Sequence, residues 1–184
     1  MIRKGRCKLK LNNFNEEKIV QAVSYLLSLS PVGSLNYTLV LNMLYFADRE
    51  AIKELSQTIS GDTYYSMKHG VILSTILDFI NGSFKIGSGV FWKKAIEKHE
   101  YEIRLVHFPE LDLLCCVELK ILNTFFEKYK NFTFKEIVRE VHKNSVCPEW
   151  ENPGEGRIPI AIEDILKKYY NLSNDEIHVL REDI

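Results

Sequence analysis

Residues 41–80 read LNMLYFADREAIKELSQTISGDTYYSMKHGVILSTILDFI, and the first half of this stretch decides the fold. Extended back to Asn36, residues 36–55 predict the longest and most apolar helix of the chain. Leu39, Val40, Leu41, Met43, Leu44, Tyr45, Phe46 and Ala47 leave almost no polar face. A helix at the surface shows one apolar stripe; a helix apolar nearly all round is enclosed by its neighbours. Asp48, Arg49 and Glu50 then crowd three charges against the end of the apolar run. The segment that follows, ISGDTYYSMKHG, is rich in aromatic and polar residues and is the first place to look for function.

The rest of the chain is read outward from this helix. Upstream, Asn15 is placed to cap a first helix, with Glu16 and Glu17 suited to its positive end. Ile19, Val20, Val23, Leu26 and Leu27 recur on one face, and Pro31 and Gly33 end the helix. Downstream, Gly61-Asp62 is a turn signal, so residues 57–70 read as a loop holding at most a short strand at Tyr64-Tyr65. Ser74 is placed to cap a short helix that Asn81-Gly82 ends. Residues 81–89 are a connector, and residues 90–107 predict a β-hairpin turning near Lys98–Glu100.

Helical periodicity returns over residues 116–129. Thr133 and Glu136 form a capping box for a helix reaching about His142. Residues 143–159 carry Pro148, Pro153, Gly154 and Gly156, too many breakers for regular structure. A helix over residues 161–170 and a short one opened by Ser173 and Glu176 complete the chain. The expected fold is therefore mainly α: a single compact helical domain over residues 15–184 with a small inserted β-hairpin. Residues 1–14 are expected to be a basic, poorly ordered segment carrying Arg3, Lys4, Arg6, Lys8 and Lys10.

Composition narrows the function. At 184 residues and 46% hydrophobic, the chain can bury a core without disulfide or metal staples. Its 24 basic and 25 acidic residues leave a net charge of −1, so phosphate attraction has little to build on. There is no apolar run long enough to span a bilayer or serve as a signal peptide, which points to the cytoplasm. Cys7, Cys115, Cys116 and Cys147 lack zinc-site spacing and a disulfide framework, and read as reduced, mostly buried thiols.

Catalytic readings find few partners. Asp48 and Glu50 stand two apart, on different helix faces, and Asp48 and Arg49 suit an ion pair or a cap better than acid–base work. Asp62 after Gly61 suits a turn. His69 beside Gly70 could act as a base with Asp48 or Asp62, but no nucleophile accompanies it. His142 and Cys147 are two ligands where zinc needs four. Phosphate-cradle, metalloprotease and nucleophile-elbow motifs are all missing. A helix-turn-helix reading would place Lys135, Arg139 and Lys143 against DNA from the helix opened by Thr133. Three cations on one helix more often form a solvated face. The aromatics Tyr37, Tyr45, Tyr64, Tyr65 and Trp150 suit a protein interface, with core packing as the simpler role for most.

The central stretch also resembles the SocA-like antitoxins that carry the Panacea domain, a family common in bacteria, phages and mobile elements. Its pattern runs L-x-Y-x-A-D-R, then G-D-x-Y, then K-x-G-P-V-x-S, and the corresponding segments here are MLYFADRE, ISGDTYYSMKHG and VILS. LLCCVELKILNTFFEKY, FTFKEIVREVH with its downstream Trp150, and IPIAIEDIL are similar to the later segments of the family. Three positions depart from the pattern: Val71 replaces a proline, Cys115 a serine and Asn123 an aspartate. The resemblance implies an antitoxin that neutralises a co-encoded toxin by direct protein binding, without catalysis or cofactor. In at least one branch it implies delivery of the toxin to an ATP-dependent protease. The signature residues it singles out are Tyr45, Asp48, Arg49, Gly61, Asp62, Tyr64, His69, Gly70, His142 and Trp150. A DNA-binding regulator and an uncharacterised hydrolase are the second and third readings; neither nucleic acid nor a membrane is an expected partner.

Overall fold

The computed structural model describes Leu9 and residues 13–181. The basic cluster expected at Arg3, Lys4, Arg6, Lys8 and Lys10 lies outside the described residues. Leu9 itself is buried, and its backbone N–H donates to the Leu180 carbonyl at 3.1 Å.

Helix α1 (Glu16–Ser28) starts where Asn15 accepts the Lys18 N–H at 3.0 Å. Strand β1 (Ser34–Asn36) follows, and Asn36 then caps α2 (Tyr37–Leu55) by accepting from the Thr38 N–H. Thirteen of the nineteen α2 residues are buried, including Asn42, Asp48 and Arg49. The helix is enclosed as its composition demands, contacting β1, a hairpin and three other helices. Ser56 ends it in the left-handed conformation.

The next segment is irregular only as far as Thr63, and the short strand expected at Tyr64-Tyr65 is one arm of a hairpin. Strands β2 (Tyr64–Met67) and β3 (Gly70–Leu73) form a hairpin, which leads directly into α3 (Ser74–Ile80). Residues 90–107 begin as a short helix, α4 (Val90–Ala95), and only then form β4 (Ile96–His99) and β5 (Glu102–Leu105). Helices α5 (Cys116–Tyr129) and α6 (Phe134–Val141) lie where periodicity and capping placed them, with the Thr133–Glu136 box formed. Strand β6 (Ile158–Ile160) precedes α7 (Ile162–Asp164), which continues as a π-helical turn through Tyr169. Helix α8 (Asn174–Arg181) is opened by Ser173 and Glu176.

The expectation of a mainly α fold with one hairpin is therefore corrected. The fold is mixed α and β, with two three-stranded antiparallel sheets in the orders β1-β5-β4 and β3-β2-β6. The strands that escaped notice are three or four residues long and find partners far away: Ser34 pairs with Arg104, and Tyr64 with Ile160. Three residues are too few to display alternation, and Pro159 in β6 reads as a breaker although edge strands tolerate proline. The cysteine expectation also needs correction, because Cys115 and Cys116 are exposed and Cys147 alone of the described cysteines is buried.

The buried apolar residues form one core around α2, to which α1, α5, α6 and both sheets contribute. Glu16 ties α4 to α1 by accepting from the Gly89, Phe91 and Trp92 N–H groups at 2.7–3.2 Å. Among the described residues, no helix is long and apolar enough to cross a membrane.

Candidate functional site

Every signature position falls on or against the C-terminal half of α2 and the β2–β3 hairpin, but in three separate constellations. The first surrounds Asp48. One turn of α2 aims its carboxylate at the chain just before β2, where it is fully buried. It accepts from the Ile59 N–H at 2.6 Å, the Ser60 N–H at 2.9 Å, the Ser60 hydroxyl, and the Tyr64 hydroxyl at 2.9 Å. Burial pushes the Asp48 carboxyl up to about 6, and the hydrogen bonds from Ser60, Tyr64 and Ile59 pull it partly back. The Tyr64 hydroxyl is driven well above its usual range by its own burial and by facing Asp48. Asp48 works here as a staple for non-helical backbone, with both oxygens occupied.

Gly61 and Asp62 continue that staple. Gly61 has a positive φ of 61° and donates its N–H to the Thr58 hydroxyl at 3.1 Å. Asp62 bonds its neighbour Thr63 N–H at 2.7 Å and also reaches the Thr75 and Ile76 N–H groups at 3.1 and 3.0 Å. The expected turn role holds, and a second role is added: Asp62 caps α3 from twelve residues or more upstream, a place that Ser74 leaves unfilled.

The second constellation starts at the next residue, on another face of the same helix. Arg49 does not pair with Asp48. Its guanidinium bonds Glu149 at 2.7 Å and the Val146 carbonyl at 2.8 Å, and the Tyr45 hydroxyl donates to the same Glu149 oxygen. Tyr169 stacks under the guanidinium at 3.7 Å, and the Tyr170 hydroxyl donates to the Arg49 carbonyl. Two consecutive tyrosines thus meet one residue at a π-helical turn, where ring placement departs from the α-helical spacing. Burial pushes the Tyr45 hydroxyl upward, as do Cys147 and Glu149. The Cys147 thiol is raised by burial first and by Glu149 second, so it is a poor nucleophile. Glu149 was missed because the breaker-rich segment has no periodicity, and Tyr169 and Tyr170 because the π-helical turn that aims them at Arg49 stood in a stretch read as ordinary helix; the one available signal was an acid flanked by Pro148 and Trp150.

The third constellation is the turn of the hairpin. Trp150 donates its Nε1–H to the Met67 carbonyl at 3.1 Å, and the His142 ring stacks on Trp150 with centroids 3.9 Å apart. His142 also hydrogen-bonds the backbone of Lys68; burial and the neighbouring His69 both hold its pKa below the usual value. Gly70 has φ +118°, and a Cβ there would lie 2.9 Å from Asn42 Oδ1. Val71 donates its N–H to that same oxygen at 3.3 Å, the one bond a proline at this position would forgo. The His69 ring meets Phe134 edge-on, with centroids 5.4 Å apart.

These arrangements bear on the alternative chemistries. Among the described residues, no hydrogen bond joins His69 to Asp48 or Asp62, and no group of three His, Cys, Asp or Glu side chains is spaced to hold a metal. In α6, Ile137 and Val141 are buried and Lys135 and Arg139 are exposed, and just beyond it Lys143 is ion-paired with Glu140 at 2.7 Å. Apart from the exposed His69, what the signature residues do together is hold the chain around the hairpin against a buried helix. No curated protein and no solved structure matches the chain. The sequence pattern described as Antitoxin SocA-like, Panacea domain, matches residues 40–151, a span that includes every position from Tyr45 to Trp150, and the chain belongs to that family.

Proposed function

We propose that this protein is an antitoxin that neutralises a toxin encoded beside it by binding the toxin directly, in the cytoplasm and without catalysis of its own. The observation that supports the reading most is the family match over residues 40–151. The geometry agrees with it: Tyr45, Asp48, Arg49, Asp62 and Tyr64 spend their polar atoms on the protein's own chain, as a scaffold for recognition requires. The hairpin these residues anchor then presents His69 outward as a partner contact.

The test is expression of each neighbouring reading frame with and without this protein. One of them is expected to arrest growth alone, to be tolerated when co-expressed, and to co-purify with this chain. Failure of every neighbour to intoxicate or to bind would sink the reading. The half-life of the captured toxin separates two modes: an unchanged half-life means occlusion, and shortening that needs ATP means delivery to a protease.

A further inference from the structure

The β2–β3 turn is held unusually firmly for a surface turn. Its backbone is fixed by Trp150 at Met67, by His142 at Lys68 and by Asn42 at Val71. Yet the side chains at its tip, Lys68 and His69, are exposed and do little for the fold. The Lys68 ammonium has no hydrogen-bond or ion-pair partner among the described residues, and His69 has no carboxylate partner. A rigid backbone presenting an unused ammonium and an exposed imidazole loses little entropy when a partner docks.

Beside this turn lies a groove of about 680 Å³, large enough for several side chains. Tyr37, Ile72, Leu77, Tyr101 and Phe134 give it apolar walls, and none of its lining residues is a carboxylate. Lys98 adds a second cation at the rim, bonded to Asn81 at 2.9 Å and lying 5.2 Å from the centre of the Tyr37 ring. A second cleft of about 490 Å³ shares Lys68 and His69 and continues to His142 and Trp150. The groove thus meets Lys68 and Lys98 with no carboxylate among its own lining residues, whereas the second cleft also holds Glu155.

We propose that this groove receives an apolar segment of the toxin that carries a carboxylate, with the apolar side chains between Tyr37 and Phe134 and the carboxylate against Lys68 and His69. The assignment rests on the antitoxin reading above and names its contact surface. Electrostatic pairing at such a rim acts on specificity and association, while the apolar walls hold the complex.

The experiment measures binding of the co-purifying neighbouring-gene product to the full chain and three variants. Lys68→Glu/His69→Glu and Phe134→Glu are each expected to weaken Kd at least tenfold and to lose rescue. Lys120→Glu, an exposed reversal on α5, is expected to stay within twofold. Phe134 is the first residue of α6, where an acid suits the helix, so the variant keeps its fold. Circular dichroism checks all three, and Lys68→Ala/His69→Ala replaces any that is unfolded. A wild-type protein that binds while both groove variants remain within twofold overturns the groove and leaves the antitoxin reading intact. So does a photocrosslink from position 134 to a toxin segment with no Asp, Glu or terminal carboxylate. A wild-type protein that neither binds nor rescues removes the antitoxin reading, and the groove with it.

Discussion

Arg49 and Glu149, one hundred positions apart in sequence, form an ion pair of 2.7 Å with both side chains almost wholly buried. The pair is stitched to its surroundings by Tyr45, the Val146 carbonyl and the face of Tyr169. Removing one partner strands a charge in the core, which typically costs about 3–5 kcal/mol. Glu149→Ala is therefore expected to lose roughly that much in urea unfolding, with Arg49→Met comparable. The double variant should lose less than the sum, because neither charge is left alone. Additive losses would show that the two residues stabilise the fold independently.

Asp48→Ala leaves the Ile59 and Ser60 N–H groups and the Ser60 and Tyr64 hydroxyls without their acceptor. Buried donors abandoned in this way cost about 1–3 kcal/mol each, although relaxation and water recover part of the sum. A loss of about 3 kcal/mol or more is expected, read as a lower denaturation midpoint with an unchanged slope.

The same carboxylate makes stability depend on pH. Asp48 titrates near 6 in the folded chain, above its ordinary value of 3.8, so the folded state binds the proton more tightly than the unfolded state. Its contribution is greatest below pH 4 and is lost as pH rises through 6. The stability difference between wild type and Asp48→Asn should accordingly shrink by about 2 kcal/mol from pH 4 to pH 7. A difference that stays flat, or grows with pH, would show that the hydrogen bonds outweigh burial.

At Gly70 the backbone φ of +118° disfavours any side chain, and Asn42 Oδ1 occupies the space of a Cβ. Gly70→Ala is expected to lower stability by about 1–3 kcal/mol. Asn42→Ala should relieve the contact but not the strain, so the double variant remains below wild type in thermal unfolding.

Asp62 caps α3 through two N–H groups and braces Thr63 through a third. Asp62→Ala should cost about 1–2 kcal/mol. Hydrogen exchange is the sharper measurement: the Thr75 and Ile76 amides should lose protection, while those of α5 keep theirs.

Much of the helical framework was legible because its causes are local. The apolar girth of α2, the Asn15 cap and the Thr133–Glu136 box each act within a turn or two, and each helix stands where they placed it. Asp62 was half legible: its bond to Thr63 belongs to the turn, whereas its cap on α3 spans the hairpin. The sheets were mostly illegible, since β1 becomes a strand only against β5 and β6 only against β2.

By itself, then, the amino-acid sequence determined most of the helical segments, α4 excepted, that α2 lies at the centre, and which family pattern the chain carries. The tertiary structure alone decided that Arg49 turns away from Asp48 to Glu149, and that Asp48 holds Ser60 and Tyr64. It also decided that Lys68 and His69 stand at the tip of a braced hairpin, beside an apolar groove. The physical reason is range. Helix periodicity and capping are read from neighbours along the chain, whereas a buried charge chooses among all the partners that folding brings to it.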